Sequence, residues 1–423
     1  MAISPLEPLF FHHAEQLLSL AGPSVPRRGK ALSELGIIRD GALLTRGEKI
    51  LRVGRTQDLS NEARRAGARF IRCRGRIVLP GFVDSHTHLV FAGNRVEDFA
   101  RRLQGMSYEQ IAAAGGGIRS TAGLVGRASL PRLIEHVAPF LARFALHGTT
   151  TLEVKSGYGL NVAGETKILK AVRELRRETA LELVPTLLAA HALPPAYRGR
   201  RREYVRLIAQ RLIPRVAREG LAEFIDCFCD QGAFSRADCR RVLEAGQRHG
   251  LVPRIHAEQW ARTRGSSLAV ELRAASADHL DRISPADLRQ LARSGVVATL
   301  LPGSNFFLGH PPYPPARRLI EEGAAVALAT DFNPGTSPTP NMQFILSLAC
   351  FALKMSPAEA ITAATINGAF SLRRAHRLGS LEPGKQADIA VMAVGDYREL
   401  PYWFGVNHCV LTAKAGRIVY GTC

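Results

Sequence analysis

Apolar runs four to eight residues long recur through the middle of the chain, most of them separated from the next by a stretch with helical periodicity. The first, Ile77-Val78-Leu79-Pro80-Gly81-Phe82-Val83-Asp84, is apolar and β-branched, as a strand buried on both faces of a parallel sheet must be. Similar runs follow at 149–154, 183–190, 224–228, 252–255, 276–279, 296–300 and 325–330. Between them lie amphipathic stretches such as Gly164 to Arg177 and Asp238 to His249. Eight strand-like runs with helical crossovers predict an α/β fold, a (β/α)8 barrel over residues 79–378. A doubly wound sheet would carry a glycine-rich phosphate turn after its first strand, and Gly115-Gly116-Gly117 follows no strand.

The ends of the chain have a different texture. Gly36 to Leu44 and Lys49 to Gly54 are short strand patterns around turn residues, and the pattern returns at Gly384 to Met392 and Cys409 to Tyr420. Neither end is large enough to bury a core alone. Residues 1–78 and 379–423 are therefore expected to pair into one small composite β-sandwich domain beside the barrel.

Composition narrows the function classes. The formal charge is +19, and of 56 basic residues only 8 are Lys. Such a field attracts anions and nucleic acid, but the basic clusters at Arg173–Arg177 and Arg198–Arg202 lack interleaved aromatics, so no nucleic-acid surface is expected. Seven scattered cysteines form no zinc-knuckle pair and suit reduced, mostly buried thiols. The N-terminus shows no basic-then-apolar leader pattern and no apolar run reaches membrane-spanning length, so a cytoplasmic protein with no membrane partner is expected.

In a barrel, chemistry belongs at the C-terminal ends of the strands. The first strand run leads into His86-Thr87-His88, whose i, i+2 spacing sets two imidazoles on one side of an extended chain, ~7 Å apart along it and able to share a metal ion. Later runs end in Lys155-Ser156-Gly157-Tyr158, in His191, in His256-Ala257-Glu258-Gln259, in Asp278-His279 and in Asp331-Phe332-Asn333. A lone histidine is more often structural than a ligand, but five strand ends delivering His or Asp to one mouth are a different matter.

These residues and five longer blocks carry a resemblance. H-x-H after the first strand, His on the fifth and sixth, and Asp on the eighth resemble the amidohydrolase superfamily. P-G-F-V-D-S-H-T-H-L-V-F-A-G-N-R (80–95), S-Y-E-Q-I-A-A-A-G-G-G-I (107–118), E-V-K-S-G-Y-G-L (153–160), A-A-H-A-L-P-P (189–195) and A-T-D-F-N-P-G-T-S-P (329–338) narrow it to the imidazolonepropionase family. The loop 303–308 departs from the commoner family wording.

The resemblance implies hydrolysis of the ring C–N bond of 4-imidazolone-5-propanoate to N-formimidoyl-L-glutamate, in histidine degradation, by a homodimer. It implies a metal held by His86, His88, His256 and Asp331, a donor set suited to Zn or Fe. Related dinuclear enzymes bridge two metals with a modified lysine on the fourth strand. No Lys lies between Phe224 and Asp230, so one ion per chain is expected. His279 is the expected proton shuttle, with Asp331 sharing the work as base, and Glu258 is its competitor. By family position Gln259 contacts the substrate ring, Arg95 anchors the propionate with Arg119 as the alternative, and Tyr158, His191, Asn333, Gly335 and Thr336 line the same pocket. A guanine or cytosine deaminase would share the metal set without the carboxylate anchor. A decayed, metal-free barrel binding nucleic acid is the remaining alternative.

Overall fold

The computed structural model describes residues 6–421 apart from 108, 109, 112 and 113, so part of the 107–118 block and Cys423 lie outside the described residues. Seven strands come first: β1 (Leu9–Ala14), β2 (Gln16–Leu18), β3 (Ile37–Ile38), β4 (Gly41–Arg46), β5 (Lys49–Arg55), β6 (Arg69–Arg72) and β7 (Ile77–Pro80). Eight more are β8 (Phe82–Asp84), β9 (Thr149–Lys155), β10 (Glu182–Ala190), β11 (Phe224–Cys229), β12 (Val252–Ala257), β13 (Ser276–His279), β14 (Val297–Leu300) and β15 (Ala325–Leu328). The last three are β16 (Ile389–Met392), β17 (Cys409–Lys414) and β18 (Arg417–Tyr420).

Strands β8 to β15 form one parallel sheet in sequence order, each joined to the next through helical segments. The seam between β15 and β8 closes just past the strand ends. Thr330 donates from its backbone N and its hydroxyl to the Asp84 carboxylate, at 3.0 and 2.5 Å. The Asp331 N–H donates to the His86 carbonyl at 3.1 Å, and the His88 N–H to the Phe332 carbonyl at 2.9 Å. The (β/α)8 barrel read from the sequence is thus the observed architecture.

The first apolar run behaves differently from its expectation. It is not one barrel strand but two strands in different sheets. β7 pairs antiparallel with β16 and parallel with β2 in a six-stranded sheet, and only β8 belongs to the barrel. The break falls at Pro80-Gly81. Proline has no N–H for a ladder, and a Cβ at Gly81 would come within 2.2 Å of Thr150 Cγ2. The chain can therefore pass from one sheet to the other only with glycine at that point.

The second sheet of the outer unit is β5-β4-β1-β6. Leu9, Phe11, Leu17, Leu43, Val78, Leu381, Ile389 and Leu411 share one buried cluster, so residues from both ends of the chain fill a common core. The segment between β2 and β3 straps onto the barrel. The Arg28 guanidinium donates to the carbonyls of Ala292, Ser294 and Gly323, and Asn367 bonds the Arg27 backbone in both directions. Six free cysteines are described, five of them buried, and no helix among the described residues is long and apolar enough to cross a membrane.

Candidate active site

The barrel strands are apolar outside and ionic inside. Glu153 and Lys155 on β9, Asp226 on β11, Arg254 on β12 and Asp278 on β13 are all fully buried. Lys155 Nζ lies 2.8 Å from Glu153 Oε1 and 2.8 Å from Asp226 Oδ2, and Arg254 Nη2 lies 3.2 Å from Asp278 Oδ2. Burial alone would push Asp226 up, but His256 and Lys155 outweigh it and hold the carboxyl well below its usual range. Burial likewise works against the Lys155 ammonium, and Asp226 and Glu153 reverse it, raising its pKa. These charges are what the strand runs concealed. Their signal in the sequence is an ionisable residue inside an otherwise apolar run.

Two of these carboxylates face histidines. Asp278 Oδ2 lies 2.7 Å from His86 Nδ1, and Asp226 Oδ2 lies 2.9 Å from His256 Nδ1. A carboxylate at Nδ1 fixes the tautomer and turns the Nε2 lone pair the other way. The three Nε2 atoms converge with Asp331. His88 Nε2 is 3.4 Å from His256 Nε2, and Asp331 Oδ1 is 3.6 Å from His86 Nε2 and 3.5 Å from His88 Nε2. A tetrahedral ion with bonds of ~2.0–2.1 Å has its donors roughly 3.3 Å apart, so each of these edges suits two ligands of one small cation, and the mutually close donors form two groups that share His86: His86–His88–Asp331 and His86–His256–His279. His86 Nε2 is buried with no hydrogen-bond partner. Burial, then neighbouring Lys155, holds His86 well below its usual pKa, and burial, then His191, does so for His88, leaving both neutral and able to donate. Burial also pushes the Asp331 carboxyl well above its usual range, against the opposing pull of Asn333 and Lys155. Donor chemistry and geometry both fit a metal.

Thr87, between the two histidines, is stapled to β9. Its hydroxyl donates to the Glu153 carbonyl at 2.6 Å and its N–H to Glu153 Oε2 at 3.2 Å. His279 ends β13, with its ring centroid 5.4 Å from that of His256 and 5.6 Å from that of His86. With those two histidines it forms a second group of donors close enough to share an ion.

A cleft of about 440 Å³ opens over this point. His88, His256, His279 and Asp331 form its floor, and Arg95, Tyr158, His191, Gln259, Asn333 and Thr336 are on its walls with Phe228 and Trp260. Phe228 and Trp260 were not anticipated; both are aromatic residues near strand ends, a signal easily mistaken for core. Gln259 Nε2 donates to Ser304 Oγ at 3.3 Å, which brings the variant loop 303–308, folded as helix Pro302–Leu308, against the pocket. Glu258 is not on the cleft wall. Its carboxyl is buried beside Ser266, and burial pushes it up to about 7. Arg119 is absent from this wall as well, and lines a wider depression outside it.

Local chemistry shapes each wall. Glu165, in the first turn of helix Val162–Glu178, accepts the N–H groups of Gly157, Gly159 and Leu160 at 2.8, 2.9 and 2.6 Å, which folds the loop that carries Tyr158. His191 Nδ1 lies 3.0 Å from the Gly157 carbonyl, so its Nε2 is left for the cleft, and burial lowers its pKa to about 3. Asn333 Oδ1 accepts from Gly335 N and Thr336 N, both at 2.8 Å, an Asx turn that wraps the loop after β15. Arg95 reaches across this turn. A Cβ on Gly335 would lie 2.0 Å from Arg95 Nη1. Arg95 Nε donates to Thr121 Oγ1 at 2.8 Å, while its Nη2 is buried without a partner. An unpaired buried guanidinium N–H beside a polar cleft calls for an anion.

Comparison with known proteins places the chain in a family. The amidohydrolase family profile matches residues 255–419. Imidazolonepropionase of Geobacillus thermodenitrificans (strain NG80-2) is 46% identical over 417 residues, 98% of each chain. That of Solibacter usitatus (strain Ellin6076) is 47% identical over 409 residues, 96% of this chain and 97% of its own. In structure, the guanine deaminase of E. coli superposes with a TM-score of 0.72 at 17% identity, over 98% of this chain and 100% of its own. A triazine hydrolase variant reaches 0.74 at 18% identity, over 98% and 95%. At such low identity these two share the fold. The full-length relatives decide the matter: the chain belongs to the imidazolonepropionase family of amidohydrolases.

Proposed function

We propose that this protein adds water across the ring C–N bond of 4-imidazolone-5-propanoate, giving N-formimidoyl-L-glutamate in histidine degradation. The observation that carries the proposal is the pairing of two features in one cleft. Three histidine nitrogens and a carboxylate converge at its floor, and a buried guanidinium with an unpaired N–H stands in its wall. The family supplies the substrate, and the geometry accommodates it.

His86, His88, His256 and Asp331 would hold one Zn or Fe ion per chain. Such an ion supplies Lewis acidity and makes water acidic enough to attack near pH 7. Arg95 binds the propionate through a planar fork, with Tyr158, Asn333, Gly335 and Thr336 shaping that end. Gln259 and His191 hold the ring. His279 takes the proton of the attacking water and returns it to the leaving nitrogen, with Asp331 assisting as base. Burial, then neighbouring His256, lowers the His279 pKa and keeps the imidazole neutral. The acid–base part goes to His279 rather than Glu258, which faces Ser266. A cytoplasmic homodimer is part of the same proposal, on family grounds. Disappearance of the imidazolone absorbance with purified protein tests the reading. Ammonia release from guanine or cytosine, with the imidazolone untouched, would replace it with a deaminase.

A further inference from the structure

The catalytic cleft opens into a wider depression of about 2120 Å³, and the two share Ile118, His191, Phe228 and Trp260. The outer wall is cationic. Arg119 comes from helix Ile118–Arg127, Arg198 from the segment after β10, and Arg282 from the loop after β13, with His310 beside Trp260. Among the described residues no Asp or Glu lines this depression. Some arginines elsewhere on the molecule are answered by carboxylates, as Arg374 and Arg377 are by Glu182, although many on this strongly basic chain are not. Among the described residues Arg119 and Arg198 have no such partner, and Arg282 gives only an N–H to the Pro311 carbonyl at 3.2 Å while its Nε is buried without an acceptor. Two acids lie behind this wall without lining it: Asp281 and Asp230 are buried, and the Asp230 carboxylate is taken up by the N–H groups of Gln231, Trp260 and Ala261.

We propose that this depression is an outer carboxylate subsite, which draws in the propionate of the substrate and draws out the product. The proposal rests on the function argued above and follows from its chemistry. Hydrolysis breaks one ring C–N bond; the acyl carbon gains the water oxygen and becomes a carboxylate, and both water protons end on the released formamidine, which is a cation at neutral pH. The substrate therefore enters with one carboxylate and the product leaves with two. Among the residues of the inner cleft, Arg95 is the one guanidinium. The second carboxylate forms at the metal-ligating floor of the inner cleft, and on the way out the three outer arginines are the next cationic groups that a dicarboxylate meets. Clefts lined by one sign of charge raise association rates by ~10–10³-fold, and the effect falls with ionic strength.

The test compares the wild type with the triple variant Arg119→Gln/Arg198→Gln/Arg282→Gln and with the corresponding triple Lys variant. The expected result is a loss of roughly tenfold in kcat/KM at low salt in the Gln variant. Its salt dependence should be flattened, its kcat unchanged, and inhibition by N-formylglutamate, a stable dicarboxylate, weakened by a similar factor. The Lys variant keeps the charge and should restore the salt slope, which separates electrostatics from damage to the fold. A Gln variant with wild-type salt dependence and wild-type inhibition by the dicarboxylate overturns the subsite. If the wild type does not turn over the imidazolone at all, the functional reading has failed instead. Salt-sensitive calorimetric binding of N-formylglutamate to wild type and variant then decides the subsite alone: equal affinities reject it, and a loss confined to the Gln variant upholds it.

Discussion

At the level of single residues the account makes its sharpest demands on Arg95 and His279. In the proposed reaction Arg95 would hold a group that does not react, so its contribution would be equal in ground and transition states and its loss should appear in KM. Removing one partner of a desolvated charge pair costs about 2–5 kcal/mol, so Arg95→Ala should raise KM by at least thirtyfold, at ~1.4 kcal/mol per factor of ten. Arg95→Lys keeps the charge, loses the fork and should recover only part of that. An imidazolone without the propionate should hardly distinguish Arg95→Ala from wild type, and steady-state kinetics on the two substrates checks this. Equal responses would place the anchor elsewhere. For His279 the prediction concerns kcat. His279→Ala should lose roughly 10²–10⁴-fold with the metal content of the protein unchanged. Because His279 also lies within sharing distance of His86 and His256, loss of metal in that variant would make it a ligand and not a shuttle.

At the level of elements, the ionic core of the barrel is where stability and function meet. Lys155 on β9 bridges Glu153 and Asp226, and Asp226 in turn faces His256 on β12. Lys155→Met would leave carboxylates buried without their cation, which costs about 3–5 kcal/mol. The denaturant midpoint should fall accordingly, and metal affinity should weaken by ~10–100-fold, the usual effect of disturbing the partners of a ligating histidine. Competition with a chromophoric chelator measures the second effect; an unchanged affinity would reduce Lys155 to a purely structural role. The strand order of the barrel was legible because eight apolar runs alternate with helical periodicity, and so were the ligand candidates, because His86, His88, His256 and Asp331 stand where those runs end. The split of 77–84 between two sheets was not legible. Both halves are equally apolar, and only the approach of Thr150 to Gly81 distinguishes a crossing from a continuous strand. The role of Glu165 was hidden for a similar reason. A glutamate in the first turn of a helix reads as a dipole partner, and its hold on the loop 157–160 exists only once the barrel brings them together.

At the level of the whole molecule, a composite β unit drawn from both chain ends flanks a barrel whose seam is closed by the same loops that carry His86, His88 and Asp331. Binding of an ion to that seam stabilises the native state over the unfolded chain by mass action. Removal of metal by chelation should therefore lower the thermal midpoint, and restoring the ion should recover it, with calorimetry as the readout. The central claim is that one ion, held by four side chains, serves hydrolysis of a substrate anchored by its carboxylate. The most direct test is elemental analysis of the purified protein together with turnover of 4-imidazolone-5-propanoate, in wild type and in His88→Ala. The account predicts about one Zn or Fe per chain and robust turnover in the wild type, and neither metal nor turnover in a folded His88→Ala variant. Two tightly held ions per chain, or turnover that survives the loss of the metal, would contradict it.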